Sequence, residues 1–202
     1  LAYHRIQTPP FWVVDDGNDL PMAITYPCIV KPLYEGSSKG IKNDSVVFNR
    51  KELKKKVSEI ENLYEQPAIV EKFLTGREFT VGVLGNYPEL EILPIVEIDH
   101  SQLPAGARPI YSYEAKYIDE KGALLEIPAK IDSEVVKKLQ EIAIETYKTL
   151  CCEGMARVDF FLTEDGKAII NEINTIPGFT KISMYPKLWE VSGLSYEKLI
   201  DR

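Results

Sequence analysis

Cysteine is scarce in this sequence: three in 202 residues, Cys28, Cys151 and Cys152. The odd count and the lack of a C-x-x-C spacing provide no disulfide framework. A reducing compartment, and so a cytoplasmic location, is the expectation. Histidine is scarcer still: His4 and His100 stand far apart, without ligand spacing or an adjacent nucleophile, and neither is assigned a role. No apolar run is long enough to span a bilayer, and the start shows no signal-peptide pattern, so no membrane partner is expected. Positive charge is also short, with 24 Lys and Arg against 31 Asp and Glu, a net charge of -7 and a pI near 5.0. That balance argues against a nucleic-acid backbone or an anionic membrane as the main partner. An anionic nucleotide stays open, because a local basic pocket can oppose the global sign. There is no internal repeat, low-complexity tract or flexible linker.

The hydrophobic content of 45% is ordinary for a globular protein with a real core, and the length suits one large domain or two small ones. Leu1 to Arg5 reads as the tail of a helix, and Arg202 falls inside a helix begun near Ser195. The sequence is therefore expected to be part of a longer chain.

The most informative stretch runs from Gly154 to Ser183. It reads as two strands joined at Asp165-Gly166, a dipeptide that favours the positive φ angles of a type I′ turn. With a two-residue turn, Glu164 faces Lys167, Asp159 falls opposite Glu172 and Arg157 falls opposite Asn174. Period-2 alternation puts the last four on one face, a result that a register slip of one would destroy. Two carboxylates directly across a ladder repel. A divalent cation between them removes the conflict: Asp, Glu and an Asn carbonyl are hard oxygen donors of the kind Mg²⁺ takes, alongside nucleotide phosphates. Arg157 adds a fork of donors suited to phosphate or carboxylate. The plain alternative is a solvated acidic strand pair with a neutralising arginine. The Pro177-Gly178 break with Thr180 and Ser183 beyond it favours a site, because a loop built for close backbone approach comes at once.

Earlier in the chain, Phe11–Val14 and 26–31 read as strands. The second ends in Lys31 and runs into Leu33-Tyr34-Glu35-Gly36-Ser37-Ser38-Lys39-Gly40. This Gly/Ser loop offers N–H groups, hydroxyls and a lysine to a phosphate, although it lacks Walker A spacing and such loops are often plain connectors. Asn49 reads as an N-cap with Glu52 in a capping box. Leu53, Val57 and Ile60 form the buried stripe of that helix, and its lysines form a solvated face. A strand over 68–72 comes next, then Glu78 beyond Gly76; a surface ion-pair network is the plain reading of Glu71, Lys72 and Glu78. Residues 80–84 and 90–96 read as a hairpin, and 99–116 as a long polar connection. The longest helix is expected from a cap at Asp132 or Ser133 to about Leu150, with Val135, Leu139, Ile142, Ala143, Thr146 and Leu150 on its buried face. Trp12, Met155, Met184 and Trp189 read as packing residues.

Three segments together resemble a known family: Ala156 to Leu162 (ARVDFFL), Asn171 to Thr180 (NEINTIPGFT) and Ser183 to Leu188 (SMYPKL). They closely resemble the carboxy-terminal part of D-alanine–D-alanine ligases. The resemblance covers nearly all of the chain, and is also strong at 30–40, 71–79 and 113–117. It implies an α+β ATP-grasp fold: two α+β subdomains whose antiparallel sheets sandwich the nucleotide. The expected division is a phosphate-loop subdomain over 1–67 and a carboxy-terminal subdomain over 68–202 with the adenine pocket, metal and substrate side. By matching motifs, Lys31 would hold the ATP phosphates, the Glu35–Gly40 loop with Glu35, Gly36 and Ser38 would close over them, and Lys116 would also bind ATP. Glu71, Lys72 and Leu74 would line the adenine pocket, and Glu78 would take the ribose. Asp159, Glu172 and Asn174 would hold two Mg²⁺ ions, with Mn²⁺ as a substitute. Arg157 and the Gly178 N–H would stabilise the tetrahedral oxyanion, Ser183 would hold the second substrate's carboxylate, and Ser37 and Tyr117 would join the covering loops.

The reaction implied is ATP-dependent ligation of two D-alanines through an acyl phosphate, for peptidoglycan precursors. A homodimer of the full-length enzyme is compatible with the resemblance. The family carries a further amino-terminal domain and an upstream phosphate-binding lysine, neither of which lies in this sequence, so the chain on its own is expected to turn over poorly. The segment 100–110 is richer in Pro and Gly than the family pattern, which weakens the substrate inference. Other ligases of the class, using D-serine, D-lactate or another amino acid, and a nucleotide-binding module without turnover, stay open. Tyr117 favours the dipeptide-forming members.

Overall fold

The computed structural model describes residues 1–36, 38–101, 124–180 and 183–201. The contacts divide them into two units.

The first unit holds Pro9–Leu74. Its antiparallel sheet contains β1 (Phe11–Val14), β2 (Cys28–Pro32), β3 (Val46–Val47) and β4 (Ala68–Lys72), in the order β1-β4-β2-β3. β2 begins two residues later than the apolar run suggests. Pro27, which has no N–H to give to a ladder, keeps Tyr26 out of it. Helix α1 (Arg50–Tyr64) backs the sheet. Its N-cap is as expected: Asn49 Oδ1 accepts the Glu52 N–H at 3.0 Å. The Glu52 carboxylate accepts the Phe48 N–H, one residue earlier than a capping box requires. Leu53, Val57 and Ile60 pack on Val14, Cys28, Val30, Ala68 and Val70.

One lysine departs from the solvated face. Lys56 is only 4% exposed, and its Nζ lies 2.8 Å from Asp44 and 3.2 Å from Glu59. It lies beside Val57 at the edge of the stripe, where its stem is covered and its charge needs partners.

The expected boundary at 67/68 is displaced. β4 is central in the first sheet, between β1 and β2, and the first unit runs on to Leu74. Sequence order alone groups this apolar strand with the residues after it, but its ladder partners, β1 and β2, both precede it.

The second unit comprises Leu1–Thr8, Thr75–Asp99 and the described residues from Leu125 onward. Its sheet contains β5 (Arg77–Asn86), β6 (Glu89–Ile92), β7 (Val96–Asp99), β8 (Leu124–Glu126), β9 (Met155–Leu162) and β10 (Ala168–Asn174), in the order β10-β9-β5-β7-β8 with β6 also on β5. The expected strand over 90–96 is broken in two at Pro94, which cannot donate to the ladder, and both pieces pair with β5. Helix α2 (Ser133–Thr149) covers one face, setting Leu139, Ala143 and Tyr147 on Phe79, Val81, Val83, Val158, Phe160 and Ile170. Leu150, expected to be buried, is exposed because the helix ends before it; Tyr147 takes that place, and its hydroxyl donates to the Gly85 carbonyl at 2.9 Å. Helices α3 (Met184–Val191) and α4 (Tyr196–Ile200) pack Tyr185, Leu188, Trp189 and Leu199 on Leu93 and Val96. No helix among the described residues is long and apolar enough to cross a membrane.

Candidate functional site

The face of the second sheet opposite α2 carries the expected cluster. Asp159 lies opposite Glu172 and Arg157 opposite Asn174, yet the path to that register differs from the one read in the sequence. The turn is not a two-residue type I′ loop. Thr163 N–H donates to Lys167 O at 3.0 Å and Gly166 N–H to Thr163 O at 2.9 Å; Gly166 has φ 74, whereas Asp165 is not at positive φ. Three residues therefore close the hairpin, with Gly166 as the left-handed residue of a bulge. This moves the pairing by one, so Ile170 meets Phe160. A β-bulge at Asn171 moves it back. Ala168 and Ile170 face the α2 core before the bulge, and Ile173 does so after it. If the same residues ran on in regular two-residue alternation, with no bulge, Glu172 and Asn174 would point into that core.

Within the cluster, Arg157 bridges both carboxylates. Its Nη2 lies 2.7 Å from Asp159 Oδ2 and 3.3 Å from Glu172 Oε1, and its Nε lies 3.0 Å from Asp159 Oδ1. Asp159 is buried, whereas the Glu172 side chain is 52% exposed. Thr80, which faces Asp159 from β5, donates its hydroxyl to Asp159 Oδ1 at 2.7 Å. The Asn174 side-chain oxygen Oδ1 accepts the Ile176 N–H at 3.0 Å, which turns the chain out of β10. Beyond it the loop folds on itself. The Ser183 hydroxyl accepts the Thr180 N–H at 3.0 Å and lies 2.8 Å from the Thr180 hydroxyl; a Cβ on residue 178 would sit 3.0 Å from Ser183 Oγ. Gly178 and Ser183 are thus brought together, with Ser183 as the residue before α3. The N–H groups of a helix's first turn lack intrahelical acceptors, and they favour an anion there.

The donor set suits a hard divalent cation. Two carboxylates and one amide share a face, with Arg157 bridging the carboxylates. Among the described residues no group of three or more His, Cys, Asp or Glu could hold a metal, so ligand oxygens would have to complete a coordination shell.

In the first unit, Lys31 Nζ lies 2.5 Å from Glu71 Oε2 on the sheet face away from α1. Phe11, Val13, Ile29 and Ile69 share that face, and Phe11 and Val13 are exposed on it. The 33–40 loop is tied down from the α1–β4 connection: Gln66 accepts the Tyr34 N–H at 2.6 Å and donates to Glu35 Oε1 at 3.3 Å. Lys39 lies 2.9 Å from Glu35, whose hydrogen bond holds the ammonium pKa above its ordinary value. Gly40, at φ 80, is pressed against Pro32. Gly36 has open space where a Cβ would be, and Ser38 has φ 60.

Glu71 and Glu78 are buried and Lys72 is exposed; Glu71 pairs with Lys31, and Glu78 belongs to the other sheet. Leu74 is half-buried in the connection between β4 and β5. Ser37, Lys116 and Tyr117 lie outside the described residues. Sequence reasoning missed Thr80 and Gln66. Thr80 shares a strand face with Glu78, but only the pairing of β5 with β9 aims it at Asp159.

Two antiparallel sheets, one with a lysine-rooted Gly/Ser loop and one with a paired carboxylate face, place the protein in the ATP-grasp class. Residues 15–202 match the family described as D-ala D-ala ligase C-terminus, and the chain belongs to that family. It is 47% identical over 184 residues to a D-alanine–D-alanine ligase of Oceanobacillus iheyensis, covering 91% of this chain and 47% of that protein. Among solved structures it resembles the VanG D-Ala:D-Ser ligase from Enterococcus faecalis, with TM-score 0.77, 34% identity, and 99% of this chain and 57% of that one covered. It also resembles the D-alanine–D-alanine ligase from Bacillus anthracis complexed with ATP, with TM-score 0.74, 26% identity, and 100% of this chain and 60% of that one covered. The chain spans about half the length of the curated relatives it matches.

Proposed function

We propose that this chain is the nucleotide-binding and second-substrate-binding portion of a cytoplasmic ATP-dependent ligase that joins two D-alanines for peptidoglycan precursors. The observation that carries the reading is the alignment of Arg157, Asp159, Glu172 and Asn174 on one strand face, in a chain belonging to the D-alanine–D-alanine ligase family. In this reading a carboxylate oxygen of the first D-alanine attacks the γ-phosphorus of ATP, ADP leaves, and an acyl phosphate forms. The amine of the second D-alanine then attacks the acyl carbon, loses a proton, and expels phosphate.

Lys31, Lys116 and the loop containing Glu35, Gly36, Ser37 and Ser38 take the nucleotide phosphates. Glu71, Lys72 and Leu74 take the adenine, and Glu78 takes the ribose. Arg157 and the Gly178 N–H steady the oxyanion as charge develops. Ser183, before the first turn of α3, binds the second substrate's carboxylate. Ser37 and Tyr117 link the covering segments that keep water from the acyl phosphate. Asp159, Glu172 and Asn174 would hold Mg²⁺ or Mn²⁺, which when bound supplies charge neutralisation for phosphoryl transfer.

The test is phosphate release with dipeptide detection, using ATP, Mg²⁺ and D-alanine on the protein as its gene encodes it. ADP and D-alanyl-D-alanine in equal amounts are expected; nucleotide binding without any dipeptide would reduce the chain to a binding module. The 34% identity to the D-Ala:D-Ser ligase supports one second reading, D-serine as second substrate. Competition between D-serine and D-alanine in the same assay separates the two.

A further inference from the structure

Strand β5 lays Glu78, Thr80 and Gly82 on the face that carries Arg157 and Asp159, with Thr80 directly opposite Asp159. The Thr80 hydroxyl donates to Asp159 Oδ1 at 2.7 Å; Thr80 is fully buried and Asp159 is 5% exposed. Arg157 supplies further donors to Asp159, with its Nε 3.0 Å from Oδ1 and its Nη2 2.7 Å from Oδ2. The two donor residues differ in kind. Arg157 is a long, flexible cation that also reaches Glu172. A divalent cation arriving at the carboxylates would repel it and compete for the same oxygens. Thr80 is neutral, and as a β-branched residue on a strand it has one stiff torsion. It can hold Oδ1 whatever Arg157 does.

We propose that Thr80 is a positioning residue for divalent-cation binding: its hydroxyl fixes the Asp159 carboxylate so that Oδ2 stays presented to the cation of a metal–nucleotide complex when Arg157 withdraws. The inference rests on the metal-binding reading of Asp159 given above. Outer partners that orient metal ligands are generally worth 10–100-fold in metal affinity. A merely structural role would leave that affinity alone: the hydroxyl would satisfy a buried carboxylate, and its loss would appear as stability.

The experiment is Mn²⁺ binding, measured by electron paramagnetic resonance in the presence of adenylyl imidodiphosphate, on the protein as its gene encodes it. Thr80→Val keeps the shape and removes the donor, and should weaken Mn²⁺ binding about 10- to 100-fold. Thr80→Ser keeps the donor and should stay within about threefold of the parent. Nucleotide affinity without metal should not change in either. Asp159→Asn is measured alongside. If Asp159→Asn weakens Mn²⁺ binding and Thr80→Val does not, the positioning role is overturned while the metal reading stands; if neither does, the metal reading fails first. Should Thr80→Val not fold, Thr80→Ala, which sets no new methyl against the carboxylate, carries the same expected loss and the same overturning result. A Thr80→Ser variant as weak as Thr80→Val would also overturn the proposal, because the hydroxyl would then not be the active element.

Discussion

Replacing Glu172 by Gln separates a metal-binding face from a solvated acidic ribbon, because the two readings predict effects on different quantities. In the folded protein Glu172 meets Arg157 at 3.3 Å and stands across the ladder from Asp159, and its side chain is 52% exposed. An ion pair at that exposure contributes about 0–1 kcal/mol. Relief of the cross-strand repulsion with Asp159 is of similar size and opposite sign, about 0.2–1 kcal/mol. The two nearly cancel, so Glu172→Gln should leave unfolding free energy within about 1 kcal/mol of the parent in urea denaturation. Metal binding has no such cancellation. Losing one of two carboxylates from the donor set should weaken Mg²⁺-dependent binding of an ATP analogue at least tenfold, about 1.4 kcal/mol. Isothermal titration with adenylyl imidodiphosphate, with and without Mg²⁺, measures the second quantity directly. Unchanged Mg²⁺-dependent affinity would refute the assignment, and a gain in stability with no change in binding would establish the solvated ribbon instead.

Other contacts carry expectations of their own. Amide exchange at Ser38, Lys39 and Gly40 should slow when the ATP analogue and Mg²⁺ are added, as the Glu35–Lys39 pair gives way to phosphate; equal rates would mark the loop as a passive connector. Deleting Asn171 should leave the protein folded, because it removes only the bulged residue and keeps Ile170 opposite Phe160, Glu172 opposite Asp159 and Ile173 opposite Val158; loss of soluble folding in the deletion variant would refute the bulge argument. Cys28 is fully buried, and burial pushes its thiol from 9.0 to about 11. The raised folded pKa means its stability contribution is whole below pH 9, and is lost as pH rises toward about 11, by roughly 2–3 kcal/mol. Stability measured from pH 8 to 11 should therefore fall less steeply in Cys28→Ala, and at pH 8 a thiol reagent should label exposed Cys151 but not Cys28 in the native protein. Tyr147→Phe should cost about 1–2 kcal/mol in thermal or urea unfolding, by leaving the Gly85 carbonyl without its hydroxyl donor; no change would mean that water replaces it.

Features governed by neighbours a few residues away were legible in the chain. The Asn49 cap, the Leu53–Val57–Ile60 stripe, the start of α2 and the period-2 face shared by Arg157 and Asp159 depend on φ/ψ preference and side-chain period, which are local. The pairing of Asp159 with Glu172 is legible too, but by a route in which two departures cancel: a third loop residue shifts the register by one and the bulge at Asn171 restores it. Nothing at Asn171 announces that bulge. It is imposed by the need to keep Ile170 and Ile173 in the core while Glu172 stays out of it. The remainder was decided only in three dimensions. β4 joins the first sheet because its ladder partners lie earlier in the chain, and Pro94 breaks one expected strand into two without releasing either from β5. Lys31 meets Glu71 across forty residues of sequence, Gln66 reaches back to Glu35, and Lys56 is buried by Asp44 and Glu59. Thr80 finds Asp159 across a separation of 79 residues. Residue type and spacing pick out which groups the proposed phosphate and metal roles draw on. Which oxygen each hydroxyl or guanidinium holds depends on strand order, and that is set by burying both cores at once, a non-local condition that no window of sequence contains.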